Sequence, residues 1–217
     1  MRGVRELFRR SVRNVRSRQL CSAALTAATS WGWPVLPGVG RAGVGRCSCS
    51  RPDCPVPGAH PGDPGLLGAS TDPRMVRWWW SCRPEAPLLV ATGDKVSAVS
   101  LPAESGARLL DYFDALRVPT GPVLATATRY VLFVAPYTLP ELGELLAAQE
   151  WVPTSLRYHG QGGFVVLPPS RTGQGQVRWV RAPREATEPP WLPPVTGLVE
   201  ALVAASVATP DGAGLKM

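Results

Sequence analysis

The chain has 217 residues, 45% of them hydrophobic, with 24 prolines, 22 glycines and 8 tryptophans. That length supports a full domain with a substantial core, and the Gly and Pro content describes a loop-rich fold rather than low complexity. The net charge of +7 sits almost wholly at the start: the first 20 residues hold seven arginines and one acid, leaving 16 basic against 15 acidic groups beyond, which excludes a body-wide polyanion footprint.

In residues 1–19, Val4, Leu7, Phe8, Val12 and Val15 recur at helical spacing with the arginines elsewhere, which makes a basic amphipathic arm. It suits a solvated helix packed on the body, a nucleic-acid arm, or a membrane-surface or partner helix. The arm lacks the apolar stretch of a secretory signal, and Arg9-Arg10 runs into residues too polar for a twin-arginine signal. No apolar run approaches the ~18 residues of a membrane span, so a cytoplasmic protein is expected and no membrane partner for the body.

Leu20 to Trp31 reads as an Ala-rich helix, Trp33 to Pro37 as a short strand, and residues 38–70 as a long Gly-, Pro- and Cys-rich loop. Thr71-Asp72-Pro73 places a capping residue before a proline at the first helical position, and the helix it starts carries Trp78, Trp79 and Trp80. The triple tryptophan reads as core packing rather than as a base-stacking platform. Strands are expected at Leu88–Thr92 and Val96–Leu101, a helix over Glu104–Leu116, and a hairpin of Pro122–Thr126 with Arg129–Ala135. A helix over Leu139–Gln149 precedes a glycine-rich turn at Gly162-Gly163 and a buried strand ending at Pro168-Pro169, a corner that presents Ser170 and Arg171. A last strand is expected at Val177–Val180, and residues 183–217 hold a Pro-rich link and a closing apolar helix from Gly197. The alternation describes an α/β (α+β) fold: one domain at residues 20–182, its mixed sheet flanked by helices.

Within residues 45–61, Cys47, Cys49, Cys54 and His60 follow a C-x-C-x4-C-x5-H spacing. Three thiolates and an imidazole separated by Gly and Pro suit a structural Zn2+, and free thiols in a loop are the other reading. Cys21 and Cys82 fall on helices and read as small buried apolar residues. His60 has no acid nearby in sequence to support Cys/His nucleophilic catalysis.

The order of these pieces resembles a known family. W-G-W-P-V-L-P (Trp31 to Pro37), the Cys/His loop ending A-H-P, T-D-P-x-x-V-R-W-W-W (Thr71 to Trp80), V-A-T-G (Val90 to Gly93), the hairpin around Thr128 to Phe133, G-Q-G-G-F-V-V-L-P-P-S (Gly160 to Ser170) and V-R-W (Val177 to Trp179) look like the primase-polymerase domain of the archaeo-eukaryotic primase superfamily. More closely the chain is similar to short stand-alone versions from high-GC actinobacteria, which also carry a C-x-C-x4-C loop. The resemblance implies template-directed nucleotidyl transfer with Mg2+ or Mn2+ held by acidic side chains, a D-x-D pair at the end of the strand after A-T-G and a third acid before the G-G turn. It places Val99 and Leu101 at the two carboxylate positions, Arg157 at the third and Tyr130 where a histidine is expected. None of these is a metal ligand, and residues 95–103 contain no carboxylate.

The resemblance therefore implies a relative with its metal site erased, in which Arg129, Arg157, His159, Ser170 and Arg171 are the candidates to line a nucleotide or DNA groove. Three functions stay open at this level. One is a degenerate DNA- or nucleotide-binding protein with replication-linked or regulatory protein partners. The second is an active primase-polymerase using displaced acids such as Asp94 and Glu104, with Asp111 and Asp114 read as solvated helix acids. The third is an interaction scaffold with no nucleic-acid role.

Overall fold

The computed structural model describes residues 2–43, 46–183 and 189–207, with side chains from Asn14 onward. Of the arm's apolar stripe, Val4, Leu7, Phe8 and Val12 thus lie outside the described side chains, and Val15 is exposed. In chain order the elements are α1 (Arg2–Leu25), β1 (Val35–Pro37), α2 (Pro73–Cys82), β2 (Leu88–Ala91), β3 (Ser97–Pro102), α3 (Ala103–Ala115), β4 (Val123–Ala125), β5 (Arg129–Val134) and α4 (Leu139–Ala147). They continue with β6 (Arg157–His159), β7 (Phe164–Leu167), β8 (Arg171–Thr172), β9 (Gly175–Gln176), β10 (Arg178–Arg181) and α5 (Val199–Val207). Among the described residues no helix is long and apolar enough to cross a membrane. The α+β class read from the sequence holds, and the chain divides into two compact units.

The first unit comprises Met1–Ala91, Val166–Val177 and Ala186–Pro189. Its sheet has the order β1-β2-β7, with β1 antiparallel to β2 in the register Val35↔Val90. β1 is buried throughout and β2 from Leu88 to Val90, so they read as continuous apolar runs. α1 passes through a π turn at Thr26–Ser30 and packs on α2, burying Leu20, Ala24 and Ala27 with Val76, Trp79 and Trp80. Asp72 caps α2 by accepting from the Arg74 N–H at 2.8 Å, with Pro73 at the first turn as expected. Three consecutive helical residues sweep about 200° and cannot all face one core. Trp79 and Trp80 do, and Trp80 donates its indole N–H to the Ala86 carbonyl, whereas Trp78 is exposed. Cys82 lies one turn beyond Trp78 on the same face and is exposed too, contrary to its reading as a buried apolar residue.

The second unit comprises Thr92–Val165, Arg178–Glu185 and Pro190–Met217. Its sheet is antiparallel throughout, in the order β10-β4-β5-β3-β6. β4 and β5 form the expected hairpin, joined through Val123↔Leu132. Side chains alternate across the sheet, so Val99, Leu101, Leu132 and Tyr158 share one face. That face packs on Leu109, Leu110 and Phe113 of α3 and Leu202 of α5 in a single apolar cluster. The opposite face carries Ala98, Ser100, Val131, Phe133 and His159, with the Phe133 and Trp179 rings 5.8 Å apart. α4 opens with a full capping box, Thr138 and Glu141 bonding each other's backbone N–H. The glycine pair before β7 serves two different needs. Gly162 has φ +77°, and a Cβ on Gly163 would run into the Thr92 hydroxyl.

Candidate functional site

In the first unit the Cys/His loop folds its donors together. The Sγ atoms of Cys47, Cys49 and Cys54 and a ring nitrogen of His60 all lie within 4.8 Å of one another. A tetrahedral ion with ~2.3 Å Zn–S bonds separates its sulfurs by ~3.8 Å, so the spacing fits such an ion with small adjustments. The His60 ring is already aimed: Nδ1 lies 2.7 Å from the Pro61 carbonyl, which takes the N–H and leaves Nε2 as the free lone pair, 3.3 Å from Cys47 Sγ. Burial opposes ionisation of Cys47, but the backbone N–H groups of Gly58 and Cys49, with the Cys49 side chain, bring its thiol down to about 6. Cys54 is pushed up by burial and by the neighbouring Cys47 and Cys49, as expected when thiols crowd without a cation. Three sulfurs and one nitrogen form a closed, soft donor set, which suits a structural metal rather than a catalytic one.

In the second unit β3, β5 and β6 place a different cluster on the polar face of the sheet. Arg129 Nε donates to Ser100 Oγ at 3.1 Å, and its Nη2 donates to the carbonyls of Ser100 at 2.7 Å and Ser155 at 2.6 Å. Ser100 Oγ also lies 3.0 Å from His159 Nε2. That hydroxyl accepts from Arg129 and keeps both its proton and a second lone pair, so it can pair with His159 Nε2 in either direction. Burial, then Arg129 and Arg157, push His159 down to about 4. Arginine and histidine thus converge on Ser100, and none of these contacts involves a carboxylate.

This has a consequence for stability. A histidine with an ordinary pKa of 6.5 in the unfolded chain and about 4 in the folded one is protonated first in the unfolded state. Between those values the unfolded chain binds more protons, so folding free energy is level above ~6.5 and falls with pH down to ~4, by on the order of 3 kcal/mol. Urea unfolding across that window is expected to show this slope, and His159→Gln to flatten it. An unchanged slope in the variant would remove His159 as its source.

Of the residues singled out in the sequence, the structure brings Arg129 and His159 together, with exposed Arg157 acting on His159 through charge. Val99 and Leu101, read as the carboxylate positions, are fully buried in the apolar cluster on the helix-packed face. Tyr130 packs against that same cluster. The polar face of β3 is therefore carried by Ser100, which sequence reasoning passed over because it is one residue out of register with the Pro102 anchor. Ser170 is fully buried, and its hydroxyl accepts from the Leu88 N–H at 2.8 Å. It braces the corner after β7 and does not face a ligand. Arg171 is exposed beside it.

The displaced acids are occupied elsewhere. Asp94 lies 3.7 Å from Lys95 and Glu104 3.6 Å from Arg108, each on the surface, and Asp114 accepts from Arg181 at 2.6 Å. Among the described residues, no three carboxylate or imidazole donors converge outside the Cys/His loop. No curated protein matches this chain. The family model for the bifunctional DNA primase/polymerase N-terminal domain, Prim-Pol, matches residues 24–194, which span parts of both units and both clusters. With more than three quarters of its length under that match, the chain belongs to the Prim-Pol family.

Proposed function

We propose that this protein is a Prim-Pol relative of the short stand-alone type that no longer performs metal-dependent nucleotidyl transfer and instead binds DNA or nucleotides as an accessory to replication or its regulation. The organisation that goes with it is a basic arm at 1–19, a core at 20–182 stiffened by zinc on Cys47, Cys49, Cys54 and His60, and a closing segment at 183–217. One observation carries the reading: the face of β3 that offers polar groups presents Ser100 to Arg129 and His159 and no carboxylate. Two-metal catalysis places its ions ~4 Å apart and needs several oxygen ligands around them. A fixed guanidinium repels such ions and attracts phosphate instead. Asp94 and Glu104, each beside its own lysine or arginine on the surface, do not supply the missing donors.

Primer extension on a defined template with Mg2+ or Mn2+ tests this. No template-dependent product is expected, while the same preparation shifts a labelled single strand in anisotropy. Arg129→Gln is expected to weaken that shift several-fold. Robust templated product from the purified chain would overturn the reading.

A further inference from the structure

The first unit holds an arginine-lined cavity of about 300 Å3, at the lower end of the range for small-ligand sites. Its lining comes from four separate parts of the unit: Arg16 on α1, Arg41 and Gly43 in the loop after β1, Glu85 and Pro87 ahead of β2, and Arg171 on β8. Local structure places the backbone of each arginine at this cavity. Arg171 follows Ser170, whose hydroxyl is tied to the Leu88 N–H beside Pro87. Arg41 bridges to Cys47 in the Cys/His loop, and its Nη2 donates to the Gly43 carbonyl at 3.3 Å. Arg16 projects from the stretch of α1 just before the buried Leu20.

Three guanidinium groups face a single carboxylate in this space. Burial and the charges of Arg171 and Arg41 hold Arg16 below the usual guanidinium range, and Glu85 only partly offsets them. Like charges this close are costly unless something negative joins them. The geometry points to a phosphoryl-binding pocket built from Arg16, Arg41 and Arg171, which takes the phosphates of a nucleic-acid strand or of a free nucleotide. Guanidinium forks match phosphate oxygens in pairs, and three forks suit a group carrying several of them. Glu85 sets the limit on affinity by competing for the same donors. The pocket is independent of the Ser100–Arg129–His159 cluster and of whether the chain retains polymerase activity.

The test uses the full chain with inorganic tripolyphosphate by calorimetry and a labelled single-stranded oligonucleotide by anisotropy. Arg41→Gln with Arg171→Gln is expected to weaken binding at least ten-fold, while Arg51→Gln, an exposed arginine of the same loop outside the cavity, changes it less than two-fold. Glu85→Gln is expected to tighten binding, which keeps the test decisive if the double variant folds poorly. The basic arm is common to all variants and cancels from the comparison. Competition by tripolyphosphate against the strand identifies the strand's phosphates as the occupant, and tripolyphosphate binding without competition identifies a free nucleotide. Absence of saturable binding by either probe, or equal losses in the Arg51→Gln control, would overturn the proposal. Templated primer extension by the wild-type chain would overturn the proposed function and leave this pocket standing, so the two readings fail separately.

Discussion

Cys47→Ser is expected to abolish zinc binding and to open residues 38–61 to protease, and the wild-type chain is expected to carry close to one zinc and to resist cleavage there. The loop has little else to hold it. Between Arg41 and His60 almost every described residue is exposed or half-buried, so no hydrophobic core offsets the entropy of ordering it. The donors are gathered by backbone contacts of modest strength, such as Val39 N–H to His60 O at 2.9 Å and Ser48 N–H to Gly40 O at 3.0 Å. Structural zinc sites of this donor type supply apparent binding energies of about 10–16 kcal/mol, far more than those contacts, and that energy is folding energy for the segment. Serine preserves size and hydrogen bonding but does not ionise near neutral pH, so the variant isolates the metal bond. Metal analysis and limited proteolysis measure both halves of the expectation. A wild-type chain free of zinc yet protected in the loop would show that the thiols serve some other end.

Several elements were legible because their signals are local. Asp72-Pro73 announced α2, the Gly162-Gly163 turn announced β7, and the alternation from Val123 to Val134 announced the β4–β5 hairpin. The gathering of Cys47, Cys49, Cys54 and His60 followed from donor type and spacing. β6 escaped notice because Arg157-Tyr158-His159 is short and polar, and it exists only through pairing with β3. The β8–β9 hairpin is two residues a side and carries no pattern to read. The arginine pocket draws on positions as far apart as 16 and 171, so no window of sequence contains it.

The orientation of β3 is the least legible feature of the sheet. Ser97 to Leu101 is buried at every position, so apolar and small polar residues follow one another without the exposed–buried alternation that reveals which side faces what. A one-residue choice of anchor then transfers every side chain to the opposite face. Pairing decides it: Val99 joins Leu132 and Tyr158 toward the helices, and Ser100 joins Val131 and Arg157 on the other side.

That assignment yields the second large effect. Leu101→Asp, which restores a carboxylate at the position the family resemblance indicates, is expected to unfold the second unit rather than to create a metal ligand. Leu101 has no exposed surface and lies in the same apolar cluster as Leu109, Phe113 and Leu132. Removing the leucine costs about 2–5 kcal/mol, and an unpaired acid in that setting adds desolvation of similar size, together comparable with a typical domain stability of about 5–15 kcal/mol. Ser100→Asp makes the same chemical change one residue away with the opposite outcome. The new carboxylate would stand where Ser100 Oγ now meets Arg129 Nε at 3.1 Å and His159 Nε2 at 3.0 Å, so it gains a charged donor on arrival. Its cost is expected to stay within about 2 kcal/mol, and it should draw the His159 pKa back up, because a nearby anion favours the imidazolium. Urea unfolding of both variants and an NMR titration of His159 measure these effects. A folded Leu101→Asp protein that binds Mn2+, beside an unfolded Ser100→Asp one, would mean that the helix-packed side of the sheet is the family's reactive side and that the polar cluster on β3 is only structural.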